Sequence, residues 1–257
     1  MSTSTYYQRY WQRPQSFSQG GPYGALERLL DHHVQAGERW LDLGCGDGAT
    51  AGRAVLARGA EYRGVDISAT AVQRARATGL DVQEIADSGS LPLAGDYADG
   101  ALMLEVLEHL FEPQAALIEA ARVLRPGGLL IATVPNACYW RRRADSLVGR
   151  WDPQGDELSR EQPWRDPHIR FFNQASLRRL LAGCGFEVLE EGAHWGTLMA
   201  DLPFVNHLGR LRRDGLRLDA LRRSSSAYKA IERRAPSLLG FRLHAVARCR
   251  AATAGGA

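Results

Sequence analysis

Residues 40–48, Trp40-Leu41-Asp42-Leu43-Gly44-Cys45-Gly46-Asp47-Gly48, carry an acidic side chain, Asp42, on an apolar run immediately before a glycine-rich turn. The run reads as a buried strand over 39–43. A turn built from Gly44 and Gly46 lets the backbone approach a ligand closely, because no Cβ intervenes and positive φ costs little. Nucleotide-binding folds use such turns at the end of their first strand. Gly44-x-Gly46-x-x-Ala49 also meets the loose dinucleotide fingerprint, so a nicotinamide or flavin oxidoreductase is one reading. Asp42 argues against it: a pyrophosphate beside this carboxylate would be repelled in a poorly screened pocket, whereas an ammonium or sulfonium group would be attracted.

Outward from that turn the pattern alternates in the manner of a parallel sheet wound with helices. Helices are expected over 49–58, 69–78 and 113–123, and strands over 62–65, 81–85, 100–104 and 129–134. A helix over 24–35, with Leu26, Leu29, Leu30 and Val34 on one face, precedes them. A helix over 174–184, ended by Gly185, and a strand over 186–191 follow. A last strand over 241–249 would close the sheet antiparallel. The fold class is therefore α/β: a Rossmann-like, doubly wound, seven-stranded sheet with an antiparallel last strand, plus a helical lid and insert. Asp66 falls at the carboxyl end of the second strand, at the distance from Gly46 where an acid reaches a ribose held by the first turn. Leu104 and Asp87 end their own strands on the same rim.

Asp42-Leu43-Gly44-Cys45-Gly46-Asp47-Gly48 resembles the first motif of the class I S-adenosylmethionine-dependent methyltransferases, and four further stretches agree in order. They are Val65-Asp66-Ile67-Ser68; Ala86-Asp87-Ser88 followed by Leu91-Pro92-Leu93; Leu104-Glu105-Val106-Leu107-Glu108-His109-Leu110; and Arg122-Val123-Leu124-Arg125-Pro126-Gly127-Gly128. The match covers residues 40–135, with a looser likeness to about 195 that is similar to the MetW-like and ubiquinone O-methyltransferase-like branch. The resemblance implies S-adenosylmethionine as cofactor. Asp42, Gly44 and Gly46 would hold its methionine portion, Asp66 the ribose, and Asp87 with Ser88 the adenine, with Cys45, Ile67 and Leu104 also at the cofactor.

The chain of 257 residues is 45% hydrophobic, enough for one full core, and the layout expected is a single domain over 1–250. Within it, 1–38 would form an N-terminal aromatic flap and helix, 39–135 the cofactor-binding core, 136–172 a lid and 196–242 a basic helical insert, with 251–257 a disordered tail. The aromatic start, Tyr6-Tyr7-Gln8-Arg9-Tyr10-Trp11, reads either as a flap over the cofactor or as a strip packed outside the core. Net charge is only +3, too mild to imply nucleic acid from the total alone. Cys45, Cys138, Cys184 and Cys249 are scattered, without zinc or disulfide spacing, which fits a reducing cytoplasm. No run approaches the ~20 apolar residues of a membrane span, and no signal peptide is expected.

Methyl transfer from a sulfonium is an in-line displacement, so the enzyme must hold a nucleophile close to the methyl carbon and exclude water. A hydroxyl acceptor also needs a base, and a histidine titrating near neutrality suits that work. His109, His168 and Glu105 are the candidate catalytic residues. Glu105, Glu108 and His109 are expected to share a face of a first helical turn, where they and His168 could hold a divalent cation; acidic groups also suit a helix start for dipole reasons alone. The arginine-rich 196–242 reads as a solvated face, as a surface for peripheral membrane contact, or as a cap on the acceptor pocket. The leading reading is O-methylation of a small-molecule, glycan or lipid-linked hydroxyl. RNA 2′-O-methylation and a non-catalytic MetW-like partner protein stand beside it, with oligomeric state open.

Overall fold

The computed structural model describes residues 3–12, 24–86, 90–150, 168–194 and 236–250. In chain order these form α1 (Thr3–Gln12), α2 (Gly24–His33), β1 (Arg39–Leu43), α3 (Gly52–Leu56), β2 (Glu61–Asp66), α4 (Ala69–Ala77), β3 (Val82–Glu84) and β4 (Ala98–Leu104). A 3₁₀ turn (Leu107–His109) leads to α5 (Pro113–Val123), β5 (Leu124–Pro135), α6 (Trp140–Leu147), α7 (Gln174–Gly183), β6 (Phe186–His194), α8 (Pro236–Leu239) and β7 (Arg242–Cys249).

The strands form one seven-stranded sheet, as the sequence pattern anticipates, and their order in it is β3-β2-β1-β4-β5-β7-β6. The first five in that order run parallel, and β7 is antiparallel to both β5 and β6. Alternation along each strand divides the core between two faces. Trp40, Leu102, Ile131 and Val246 pack with Leu26 and Leu30 of α2, Val55 of α3 and Val72 of α4. Leu41, Leu43, Met103 and Leu130 pack with Leu117 and Val123 of α5 and Leu177 and Leu181 of α7. The Trp40 ring lies across Gly100 on β4, where a Cβ would stand only 2.4 Å from it. Helix starts follow their capping chemistry: Ser68 Oγ accepts from Ala71 N, and Asn173 with Ser176 forms a reciprocal capping box.

Several boundaries differ from expectation for local reasons. α3 is shorter than 49–58 because residues 47–51 are spent on turns, with Gly48 N donating to Cys45 O and Gly52 N to Gly48 O. β5 reaches back to Leu124, which pairs with Ala98; the next pair, Gly100 with Leu129, is shifted, so Arg125-Pro126-Gly127-Gly128 loops out within the strand instead of preceding it. Helix α6 lies in a lid stretch that shows no sustained apolar period, and it has no buried residue. The described end of the 196–242 stretch is α8 running into β7, which begins at Arg242. Residues 1–2 and 13–23 of the N-terminal segment, 87–89, 151–167 of the lid, 195, 196–235 of the insert and 251–257 lie outside the described residues, and with them the expected adenine contacts Asp87 and Ser88. Among the described residues no helix is long and apolar enough to cross a membrane. All four cysteines are free thiols.

Candidate active site

β1 and β4 are neighbours in the sheet although β2 and β3 come between them in the chain, and open α/β sheets bind ligands at such a switch point. There Gly44, Gly46 and Gly48 adopt φ of 72°, 57° and 70°. The amides of Gly44 and Cys45 both donate to Val65 O, at 2.8 and 3.1 Å, which ties the turn to β2. Asp66 Oδ2 accepts from Gly46 N and Oδ1 from Ser68 N, each at 2.8 Å. Burial pushes the Asp66 carboxyl above its ordinary range, while these amide bonds pull it down. Ile67 follows at the same rim. Cys45 Sγ packs over Gly64, where a Cβ would stand 2.7 Å away, and burial pushes its thiol up.

Asp42 lies beneath the turn, opposite Gly64 on β2 and Leu102 on β4. It is 3% exposed, and its Oδ2 accepts from Tyr62 Oη at 2.9 Å. Burial pushes its pKa up to about 7; the Tyr62 bond works against this and the charge of Asp66 adds to it. Among the described residues neither Asp42 nor Asp66 is ion-paired. A glycine turn over two buried acids suits a ligand that brings its own positive charge.

Helix α1 covers this edge. Ser4 Oγ donates to Ile67 O, and Gln8 Oε1 accepts from Thr70 N and Oγ1. The Trp11 ring packs so closely on Gly46 that a Cβ there would stand 2.5 Å from Cζ2. No residue of α1 is buried, so the helix lies on the rim and is not a piece of the core.

At the end of β4, beyond Leu104, Glu105 has φ of 57°, donates its amide to Thr133 O at 2.9 Å and accepts from Arg242 Nε at 2.8 Å. The expectation that Glu105 shares a helical face with Glu108 and His109 is corrected here. The helical turn begins only at Leu107, and Glu105, itself left-handed, turns its carboxylate to Arg242 of β7 instead. Glu108, 1% exposed, lies with the two expected histidines: His109 Nε2 is 3.8 Å and His168 Nε2 3.9 Å from Glu108 Oε1. The imidazoles stack at 4.8 Å with an 18° tilt. His168 arrives because Ile169 N and Arg170 N both donate to Glu108 O, and the Tyr7 ring of α1 meets His109 edge-on at 6.0 Å. One ligand atom each from Glu108, His109 and His168 falls within a 4.8 Å group that could hold a metal ion. Sequence reasoning did not single out Tyr62 or Arg242 for the site; neither stands in a motif, and only their partners across the fold reveal them.

A family profile described as a methyltransferase domain matches residues 15–191. The chain belongs to the class I S-adenosylmethionine-dependent methyltransferases. It is similar to a probable S-adenosylmethionine-dependent methyltransferase of Mycolicibacterium smegmatis, 31% identical over 66% of this chain and 60% of the relative. It is also similar to a ubiquinone biosynthesis O-methyltransferase of Alkalilimnicola ehrlichii, 37% identical over 39% of this chain and 42% of the relative. The chain thus spans less than two thirds of either curated relative. A S-adenosylmethionine-dependent methyltransferase structure from Archaeoglobus fulgidus shares the fold, with a TM-score of 0.58 at 16% identity, covering 96% of this chain and 100% of that one. S-adenosylmethionine is the cofactor of this methyltransferase, and the acid-lined glycine turn fits its cationic sulfur and amino group.

Proposed function

We propose that this methyltransferase moves a methyl group from S-adenosylmethionine to a hydroxyl of a small molecule or glycan. The observation that carries the reading is the buried Glu108 beneath the stacked His109 and His168, beside the donor turn. In this reading Gly44, Cys45 and Gly46 present backbone to the donor's methionine portion, Asp42 lies beneath as counter-charge, and Asp66 meets the ribose, with Ile67 and Leu104 walling the site. When bound, the cofactor supplies the electrophilic methyl. His109 accepts the acceptor's hydroxyl proton at an imidazole nitrogen, His168 holds its ring by stacking, and the Glu108 carboxylate stabilises the imidazolium that forms. Glu105 acts at one remove, by fixing the turn that carries His109. α1 excludes water from the donor edge. The O-methyltransferase name of the Alkalilimnicola relative favours oxygen as the acceptor atom and a small molecule as its bearer.

A second reading rests on the same cluster: Glu108, His109 and His168 hold a divalent cation that lowers the acceptor hydroxyl's pKa. One experiment separates the two. Labelled methyl transfer is screened against phenols, quinols and sugars, with chelator and then with added magnesium or manganese. Transfer to a hydroxyl that persists in chelator supports the histidine base; loss in chelator with recovery on adding metal supports the cation. Transfer to amines alone sinks both.

A further inference from the structure

Tyr62 is set into the sheet by an arrangement of missing side chains. Gly64, two residues on along β2, stands opposite Asp42; a Cβ there would lie 3.0 Å from Tyr62 Oη. Gly52 of α3 and Gly48 of the turn leave room on the other side, where added Cβ atoms would come within 3.2 Å of Tyr62 Cε1 and 3.6 Å of Oη. The phenol runs through this space, 5% exposed, and ends as a donor to Asp42 Oδ2 at 2.9 Å. Phenylalanine would fill the same ring volume, so packing does not account for the hydroxyl. Gly64 leaves the space at the hydroxyl that one O–H bond to one buried acid needs, while Gly52 and Gly48 also make room for Leu80, whose Cδ1 would stand 2.8 and 2.4 Å from a Cβ there.

We propose that Tyr62 is a positioning residue of the donor site: by holding the Asp42 carboxyl beneath the glycine turn, it sets how strongly the site prefers cationic S-adenosylmethionine over its demethylated product, S-adenosylhomocysteine. The inference rests on the family's donor and is independent of which atom is methylated. Donor and product differ by one methyl and one positive charge at sulfur, so a nearby carboxylate distinguishes them where a neutral carboxylic acid does not. Tyr62 and Asp66 on β2, Cys45 in the turn and apolar Leu102 on β4 face Asp42, while Asp47 and Tyr7 of α1 act on Asp66. Burial and the Asp66 charge favour neutral Asp42; the Tyr62 hydroxyl alone among these favours the carboxylate.

The test is titration calorimetry of S-adenosylmethionine and S-adenosylhomocysteine from mildly acidic to mildly alkaline pH, on the full chain, Tyr62→Phe, Asp42→Asn and the double variant. Tyr62→Phe is expected to weaken donor binding about fivefold to tenfold at neutral pH, the net worth of one ordinary hydrogen bond, and product binding about twofold or less. Donor affinity then returns as pH rises, because the carboxyl left without its phenol ionises later. In the Asp42→Asn background Tyr62→Phe changes the donor-to-product ratio no further. Equal losses for donor and product at every pH, or no loss, overturn the proposal. If Tyr62→Phe melts too low to titrate, Asp42→Asn carries the test alone: its donor preference and pH dependence must both fall, and their retention overturns the proposal.

Discussion

At the donor half of the rim, from Asp42 to Ser68, polar groups are held by one strand-turn-helix unit and the strand beside it: Gly44 and Cys45 on Val65, Asp66 on Gly46 and Ser68, Tyr62 on Asp42. At the acceptor half the partners come from far along the chain, Glu108 with His168 and Glu105 with Arg242. The first half is therefore fixed by sheet register, which the core enforces on both faces. The second depends on whichever late segments arrive at the β4 and β5 ends. A fold that keeps its donor site and exchanges its acceptor site is the expected consequence, since the two halves share little but the edge they stand on.

The largest expected effect lies on the acceptor half. His109→Gln should slow transfer to a hydroxyl by about 10²- to 10⁴-fold, the usual worth of a general base, while donor affinity by calorimetry stays unchanged. An equal fall in donor affinity would show that the halves are not separable. The next effect lies on the donor half and concerns stability. The folded-state pKa of Asp42 is raised to about 7, so between the ordinary carboxylate range and about 7 the native chain holds a proton that the unfolded chain releases. The contribution of Asp42 to stability without donor is then greatest at low pH and falls as pH rises through that window, by an upper bound of about 4 kcal/mol at ~1.4 kcal/mol per unit. Denaturant midpoints of the wild type should drop across this window, and those of Asp42→Asn should drop less. Parallel curves would remove Asp42 as the cause.

This contrast also explains what could be read in advance. The strand over 39–43 is observed at Arg39–Leu43 and the helix over 113–123 at Pro113–Val123, because apolar period and a proline at the helix start speak locally. The glycine turn and Asp66 are legible for the same reason: their geometry follows from strand ends and from glycine's freedom of φ. Glu105 was misread because helical spacing assumes helical backbone, and a non-glycine residue at φ of 57° breaks that assumption without a sequence signal. Tyr62 reads as an ordinary strand aromatic until Gly64 is seen to leave room for its hydroxyl against Asp42. Helix α6 escaped because Arg141, Arg142 and Arg143 leave it no apolar stripe.

A smaller effect is expected at Asp66. Asp66→Ala removes the acceptor of Gly46 N and Ser68 N and, in the proposed site, the group that meets the ribose, which should cost about 1–3 kcal/mol of donor affinity. Calorimetry giving wild-type affinity would take Asp66 out of the site and leave the donor half defined by the turn alone.

The smallest effect probes the join between the halves of the chain at Glu105. Its left-handed φ costs about 1 kcal/mol or more for a residue with a Cβ, and the ion pair with Arg242, both side chains largely buried, offsets part of that cost. Arg242→Gln should therefore destabilise the fold by about 1–2 kcal/mol, since the carboxylate keeps its strained backbone and loses its cation. Glu105→Gly made in the Arg242→Gln background should recover about 1 kcal/mol, because glycine adopts this φ freely and no charge is left behind. In the wild-type background the same change loses the pair as it relieves the strain, so the two terms nearly cancel. If Glu105→Gly stabilises both backgrounds equally, Arg242 contributes nothing at this corner, and the bond from Glu105 N to Thr133 O is what holds the turn.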